Sequence, residues 1–343
     1  SESFDLQNIA PFVLNKVPEG YKKRIKEEFL QSMVELNTTV CANVRQVDED
    51  LKDSLNRLNE ILHSESATFF SASLHPFAFV KNQRITVNPR YNRIMDDLQI
   101  VGRRFISQGL HIHIGVTDPE TAIKVTDEIR LYLPLLLAIT TSSPFYEGEK
   151  TGLYSYRTKL YDALPRAGLP EYLGSWHDYL HLVEVMKRGG YIESVKDIWW
   201  DVRPHPDFGT VEVRICDLPS RLSEILGVTA LIQALVVKLS EIGRTNRIPM
   251  QLLKSNKWQA ARYSLDGVFL DPLRGNRFGI RDAISMLLEF VEPVAAKLGS
   301  IEYLNVIEDI LQQGTSAHRQ LRYYEQSGEF KGMIKKLQEE FYS

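Results

Sequence analysis

"DVRPHPDFGTVEVRICD", residues 201–217, is the stretch on which the fold turns. Side chains along a β-strand alternate between two faces. In the second half of this stretch Thr210, Glu212 and Arg214 share one face, and Val211, Val213 and Ile215 share the other. In the run that leads into it, "DIWWDVRP" (197–204), Asp201 and Arg203 lie together, opposite Trp200 and Val202. A third run, "LHIHIGV" (110–116), stops at Gly115 and places His111 and His113 opposite Ile112 and Ile114. Each strand so read has an apolar back and an ionisable front. With the backs packed on helices, the fronts line one polar surface of His, Glu, Asp and Arg.

An ordinary sheet with one wet face alternates in the same way, and exposed Glu/Arg pairs contribute little. Residue type separates the two cases. A plain wet face carries Lys, Glu, Thr and Ser, whereas these fronts carry histidine and arginine.

Helical periods surround the strands. Val44, Val47, Leu51, Leu55, Leu58 and Ile61 recur at three- and four-residue steps and predict an amphipathic helix over 44–62. Residues 67–80 are rich in β-formers until Pro76, and 90–105 reads as helix. Asp118 is placed to cap a helix that begins at Pro119, and Pro134 predicts a kink or an early break in it. The aromatic, proline-punctuated segment from Phe145 to about Leu173 has no period, and 178–190 reads as a helix ending at glycine. From Ser220 onward the chain is helical, with a strongly apolar, buried segment at 220–243. The class is α+β: a mostly antiparallel sheet covered by helices on one face.

Composition narrows the function. The chain has 343 residues, 43% of them hydrophobic, enough for a large core in one domain or two fused ones. A formal charge of -3 and a pI near 6.3 give no footprint for nucleic acid or an anionic membrane. Cys41 and Cys216 form no C-x-x-C pair, which points away from a disulfide framework and toward a reducing compartment. The first twenty residues do not read as a signal peptide, and the apolar run 132–139 is too short to span a bilayer.

Two chemistries fit the polar fronts. H-x-H on a strand can give two imidazoles to Zn²⁺ in a hydrolase. Alternatively, carboxylates and an imidazole hold Mg²⁺ or Mn²⁺ while arginines hold phosphates or a substrate carboxylate. Arg157, Arg203, Arg214 and Arg262 favour anionic ligands. A nucleotide site here is neither a P-loop nor a Rossmann turn, since neither glycine motif occurs.

The segments "SMVELNT", "LHPF", "RYNRIM", "GLHIHIGV", "TSSPFYEG", "WDVRPHPDFGTVEVRICDLP" and "AARYSLDG" occur in that order. Together they resemble the bacterial type-2 glutamate–cysteine ligase family, in its YbdK-like carboxylate–amine ligase branch. The match runs from about residue 28 to the end of the chain. The resemblance implies a single catalytic domain over 1–343 with a helical C-terminal third (about 220–343). Its fold would be glutamine-synthetase-like: an antiparallel sheet curled into a funnel, with helices outside. ATP and divalent cations (Mg²⁺, or Mn²⁺) would sit in the funnel. A carboxylate such as the γ-carboxylate of glutamate would become an acyl phosphate, which an amine such as that of cysteine attacks. The partners implied are small molecules rather than nucleic acid or membrane, with a homodimer in the cytoplasm and a place in glutathione biosynthesis.

Residue by residue, the family's metal positions fall on Glu35, His111 or His113, and Glu212. Arg214 falls where phosphate or substrate carboxylate is held, and Arg203 and Arg157 fall on arginines near the substrate end. Thr210 and Asp201 support that set, Thr210 on the nucleotide side, and Arg262 falls on an arginine facing the nucleotide. His75 in "LHPF" matches a family position but reads equally as a satisfied structural histidine.

One departure stands out. The family's strand G-[IV]-E-x-E, which supplies two metal ligands, is not found here, and Gln31 stands where relatives carry glutamate. The chain could begin downstream of that strand, use other carboxylates such as Glu2 or Asp5, or have kept binding without catalysis. Fewer carboxylates bind hard cations more weakly, so the expectation for this chain is a poor ligase.

Overall fold

The computed structural model describes residues 3–244 and 247–343; Glu2 lies outside them. Its central ladder has three antiparallel strands, Ile112–Gly115, Thr210–Val213 and Val202–His205, with Thr210–Val213 in the middle. The register pairs His113 with Glu212 and Glu212 with Arg203; two residues along, it pairs Gly115 with Thr210 and Thr210 with His205. The backs are as the alternation predicts. Ile112, Val202, Val211 and Val213 are buried in one apolar cluster that runs from Val44 to Phe341. Each such side chain contributes roughly 1.5–3 kcal/mol, and a one-residue slip would exchange these backs for the charged fronts.

The helix Leu222–Glu241 forms the middle of that cluster. It packs against Ile280–Leu298, Ile301–Gln313, Pro119–Ile129 and the Ile112–Gly115 strand. It is long and apolar enough to cross a membrane, but 78% of its most apolar window is buried inside the protein, as read for 220–243; the helix over the run 132–139, Leu133–Thr140, is only eight residues long. Local chemistry sets other helix ends. The Asn43 side chain accepts from the Gln46 N–H at the start of Val44–Ser64, and Asp118 accepts from the Thr121 N–H before Pro119–Ile129. Pro134 gives a break rather than a kink: the chain stops at Ile129 and restarts at Leu133–Thr140 with the proline in the first turn.

Three readings are corrected. Residues 67–80 form no regular strand among the described residues, ending in a single 3-10 turn that starts at Val80. The segment 90–105 is two helices, Pro89–Leu98 and Ile100–Arg103, separated by Gln99 at φ 49°. The C-terminal third contains a hairpin, Val268–Leu270 with Arg277–Gly279, inside its helices. Further two-stranded antiparallel pairs join Ile25–Glu27 to Val34–Leu36 and Phe145–Tyr146 to Glu149–Lys150; Ala167–Gly168 pairs in parallel with Trp199–Trp200.

A buried ion network ties the last helices to the first turn of Leu222–Glu241. The Arg319 guanidinium donates to both oxygens of Glu224 (2.6 and 2.8 Å), to Glu340 (2.8 Å) and to Ser220 (2.9 Å). Arg319→Met leaves two buried carboxylates without this partner and is expected to cost about 3–5 kcal/mol in urea unfolding. His75 is a satisfied buried ring. Its Nε2 donates to the Phe4 carbonyl (2.9 Å), and its Nδ1 accepts from the Ala78 N–H (3.0 Å). Burial brings its pKa from 6.5 down to about 4. The neutral ring therefore stabilises the fold fully above pH 6.5. As pH falls toward 4 the unfolded chain takes up a proton that the fold refuses, at a cost reaching about 3 kcal/mol. His75→Gln is expected to remove about one proton from the uptake on unfolding in that window, measured as the pH slope of unfolding free energy.

Candidate active site

Glu212 lies on the middle strand, so it has a cross-strand neighbour on each side, His113 and Arg203. It is 2% exposed. Arg203 Nε donates to one carboxylate oxygen at 2.6 Å, and Arg214 Nη1 donates to the other. Burial by itself would raise the Glu212 pKa; Arg214, Arg203 and His111 outweigh it and hold the carboxyl far below the usual range. His113 Nε2 stands 3.6 Å and His111 Nδ1 4.0 Å from the same oxygen, Oε1. Burial is the main reason that both imidazoles are pushed down; Arg214 is the next cause at His111, and at His113 it combines with Arg203 and His205 against Glu212. Neutral His111 Nδ1 can then accept from Arg214 Nη1 at 3.4 Å, while His113 Nδ1 bonds Thr210 Oγ1 at 2.9 Å. The imidazole side chains keep 36% and 32% of their surface open to solvent, with Glu212 and the guanidiniums deeper. The half-open imidazoles thus stand over buried charges.

Arg214 sits on a β-bulge. The N–H groups of Arg214 and Ile215 both donate to the carbonyl of Asp201 (2.8 and 3.0 Å). The carbonyls of the same two residues accept from Arg157, Nη2 to Arg214 O at 3.3 Å and Nη1 to Ile215 O at 3.2 Å. Arg157 is buried and packs its guanidinium 4.4 Å from the Tyr161 ring. Gly109 makes room for it, since a Cβ there would stand 2.3 Å from Nη2. Arg157 is thus placed beneath the bulge, where it holds the Arg214 backbone. Asp201 does not share the direction of Arg203 either: its carboxylate meets buried Lys257 Nζ at 2.7 Å, and the same nitrogen reaches Asp162 at 2.9 Å. Arg203 also holds the carbonyls of Val195 (2.8 Å) and Ile198 (2.5 Å), so it clamps that turn to the sheet.

Glu35 and Arg262 stand apart from this cluster. Glu35 is exposed opposite Lys26, and among the described residues no hydrogen bond or ion pair joins it to Glu212, His111 or His113. Glu28 feels both Glu35 and Arg214: burial raises its pKa against the Phe29 N–H, Glu35 adds to the rise, and Arg214 opposes it. Arg262, on Met250–Tyr263, lies 4.8 Å from the Tyr263 ring and near Tyr154. Glu28 and Lys257 were not identified from the sequence. Lys257 carried a signal: it falls on the apolar side of its helix, with Leu253, Ala260 and Ala261. Glu28 carried none beyond its closeness to Glu35.

The donor set does not suit a resident metal ion. Among the described residues, no three His, Cys, Asp or Glu side chains are grouped to hold one, and both oxygens of Glu212 already serve guanidiniums. Around Glu212, two guanidiniums meet one carboxylate and two neutral imidazoles, and burial favours the uncharged form of Glu28 beside them; that local excess of positive charge suits an anion.

Sequence comparison gives the chain its relatives. The profile of the family described as Glutamate-cysteine ligase family 2 (GCS2) matches residues 8–340. A protein of Solibacter usitatus is 39% identical over 322 residues, covering 93% of this chain and 84% of its own length. One of Gloeobacter violaceus is 41% identical over 318 residues, with 92% and 86% covered. Each is named "Putative glutamate--cysteine ligase 2". Among solved structures, a bifunctional glutathione synthetase from Pasteurella multocida matches with a TM-score of 0.69 at 16% identity, covering 94% of this chain and 48% of that one. This chain therefore spans about half of that protein. A glutamate–cysteine ligase from Francisella tularensis, in complex with AMP, matches with a TM-score of 0.67 at 12% identity, covering 93% of this chain and 82% of that one. At these identities the likeness is one of fold.

Glu212→Gln leaves two buried guanidiniums facing each other without their anion. The expected loss is about 3–5 kcal/mol in urea unfolding. Millimolar phosphate should return part of it by binding only the native state, whereas chloride at the same concentration should not.

Proposed function

This chain belongs to glutamate-cysteine ligase family 2, and on that premise we propose that it is an ATP-dependent carboxylate–amine ligase. ATP passes its γ-phosphoryl group to a carboxylate such as the γ-carboxylate of glutamate, and ADP leaves. An amine such as that of cysteine attacks the acyl phosphate, an amide bond forms and orthophosphate departs. The observation that carries this reading is the surplus of guanidinium over carboxylate around Glu212. Phosphoryl transfer is catalysed mainly by positioned positive charge.

In this reading Arg214 meets the phosphate. Its Nε is buried with no hydrogen-bond partner among the described residues, so the guanidinium is not saturated by Glu212. Arg203 holds Glu212 and the turn at Val195 and Ile198, and Arg157 acts through the Arg214 backbone. Thr210 orients His113, and it is assigned with Arg262 to the nucleotide side. His111 and His113, neutral and open, face the reacting groups. Mg²⁺ or Mn²⁺ enters as the counter-ion of the nucleotide, as part of the substrate. The separate ladders form the wall of one curled funnel with helices outside. The reading extends to a place in glutathione-type peptide synthesis by a cytoplasmic homodimer, as the sequence resemblance to the family implies.

A second reading is a member of the family that binds nucleotide or amino acid without turnover. The engagement of both Glu212 oxygens favours it. ADP release assays on the full chain separate the two. The ligase reading expects release that requires both a carboxylate and an amine, with kcat/KM lowered about 100-fold or more by Arg214→Ala. Thermal stabilisation by Mg·ATP with no such release assigns the chain to the second reading.

A further inference from the structure

The front of the sheet continues beyond the charged floor. Two residues along each strand from His113, Glu212 and Arg203 come Gly115, Thr210 and His205, side by side and on the same face. This row differs in kind from the first. Gly115 leaves open space: a Cβ built there meets nothing within 4 Å. His205 is buried and its Nδ1 makes no hydrogen bond among the described residues, so its ring is held by packing. What packs on it is Phe208, from the turn that joins the two strands. The rings are 4.3 Å apart and 6° from parallel, and the His113 ring stands 5.5 Å from Phe208. Phe208 is nevertheless 66% exposed. A large aromatic side chain thus lies stacked in place on one side with much of its surface open, beside an open patch of sheet.

We infer that Phe208, backed by His205 and bordered by the bare sheet at Gly115 and Thr210, is the stacking platform for the base of the nucleotide. The inference rests on the nucleotide reading above and adds a location for the ring. The residue types fit a flat heterocycle: an open aromatic face attracts the face of a base whatever its sequence of donors and acceptors. The polar groups nearest the platform are already used, Thr210 Oγ1 by His113 and the Gly209 carbonyl by the Val116 N–H. Recognition there is by stacking. The reach also fits. From Phe208 to Glu212 the strand spans at most about 13 Å, within the reach of an extended nucleoside triphosphate whose terminal phosphate meets Arg214.

Isothermal titration of the full chain with Mg·ATP and with Mg·tripolyphosphate tests the platform without relying on turnover. Phe208→Ala removes the open ring, Gly115→Val fills the floor with a side chain suited to a strand, and Phe208→Tyr keeps the ring. The expected result is a Kd for Mg·ATP raised about tenfold or more in Phe208→Ala and Gly115→Val, unchanged in Phe208→Tyr, with tripolyphosphate binding equal in all. Wild-type affinity for Mg·ATP in both Phe208→Ala and Gly115→Val overturns the platform and leaves the ligase reading standing. Equal losses of ATP and tripolyphosphate also overturn it, since the effect then lies at the phosphate end. A parent protein that binds neither ligand overturns the nucleotide reading and the platform with it.

Discussion

A single buried carboxylate, Glu212, held between Arg203 and Arg214, is the constraint around which the site is organised. Removing a charge from water is costly, and a buried ion pair repays that cost only with good geometry and further hydrogen bonds. Here one carboxylate answers two guanidiniums, so the site is compensated but not neutral. The bulge at Arg214 and Ile215 makes this possible. It sets Arg214 against Glu212 on its own strand, and it is fixed on its N–H groups by the Asp201 carbonyl and on its carbonyls by Arg157.

The rigidity of the floor comes from behind and beside it. The apolar backs of the three strands are packed in the same cluster as Leu222–Glu241, and Lys257 ties Asp201 to the helix Met250–Tyr263. The open elements are the imidazoles of His111 and His113 and the ring of Phe208. A fixed charged floor under a more open rim is a sound basis for binding a charged ligand, because the strong electrostatic contacts need no rearrangement when it arrives. The two solved structures that share the fold at 12–16% identity indicate how little of this scaffold depends on particular core residues.

Much of the site's grouping was legible from period-two alternation. His111 with His113, and Glu212 with Arg214, were read onto shared faces, and the register brings the strands together with those faces aligned. The helices, their caps and the break at Pro134 were equally local in origin. The failures share a cause. Residues 67–80 have strand-forming composition but no strand partner, because propensity does not supply a neighbour. Arg157 was read as an arginine near the substrate end, and its contacts beneath the bulge depend on residues nearly sixty positions away. Lys257 was not singled out, because the partners that hold it, Asp201 and Asp162, lie 56 and 95 positions away.

The sequence by itself determined the class of the fold, the apolar backs and ionisable fronts of its strands, the helical C-terminal third and the family, since these follow from patterns repeated along the chain. Tertiary structure alone decided that the two oxygens of Glu212 are taken by arginines, that Glu35 is exposed on a separate hairpin, that Arg157 bonds the backbone beneath the bulge, and that Phe208 stacks on His205 yet stays open. The physical reason is range. Alternation and capping act over two to four residues and are written locally. Burial, charge compensation and ring stacking depend on which distant segments meet, and they decide whether a carboxylate is free for a cation or already committed to a guanidinium.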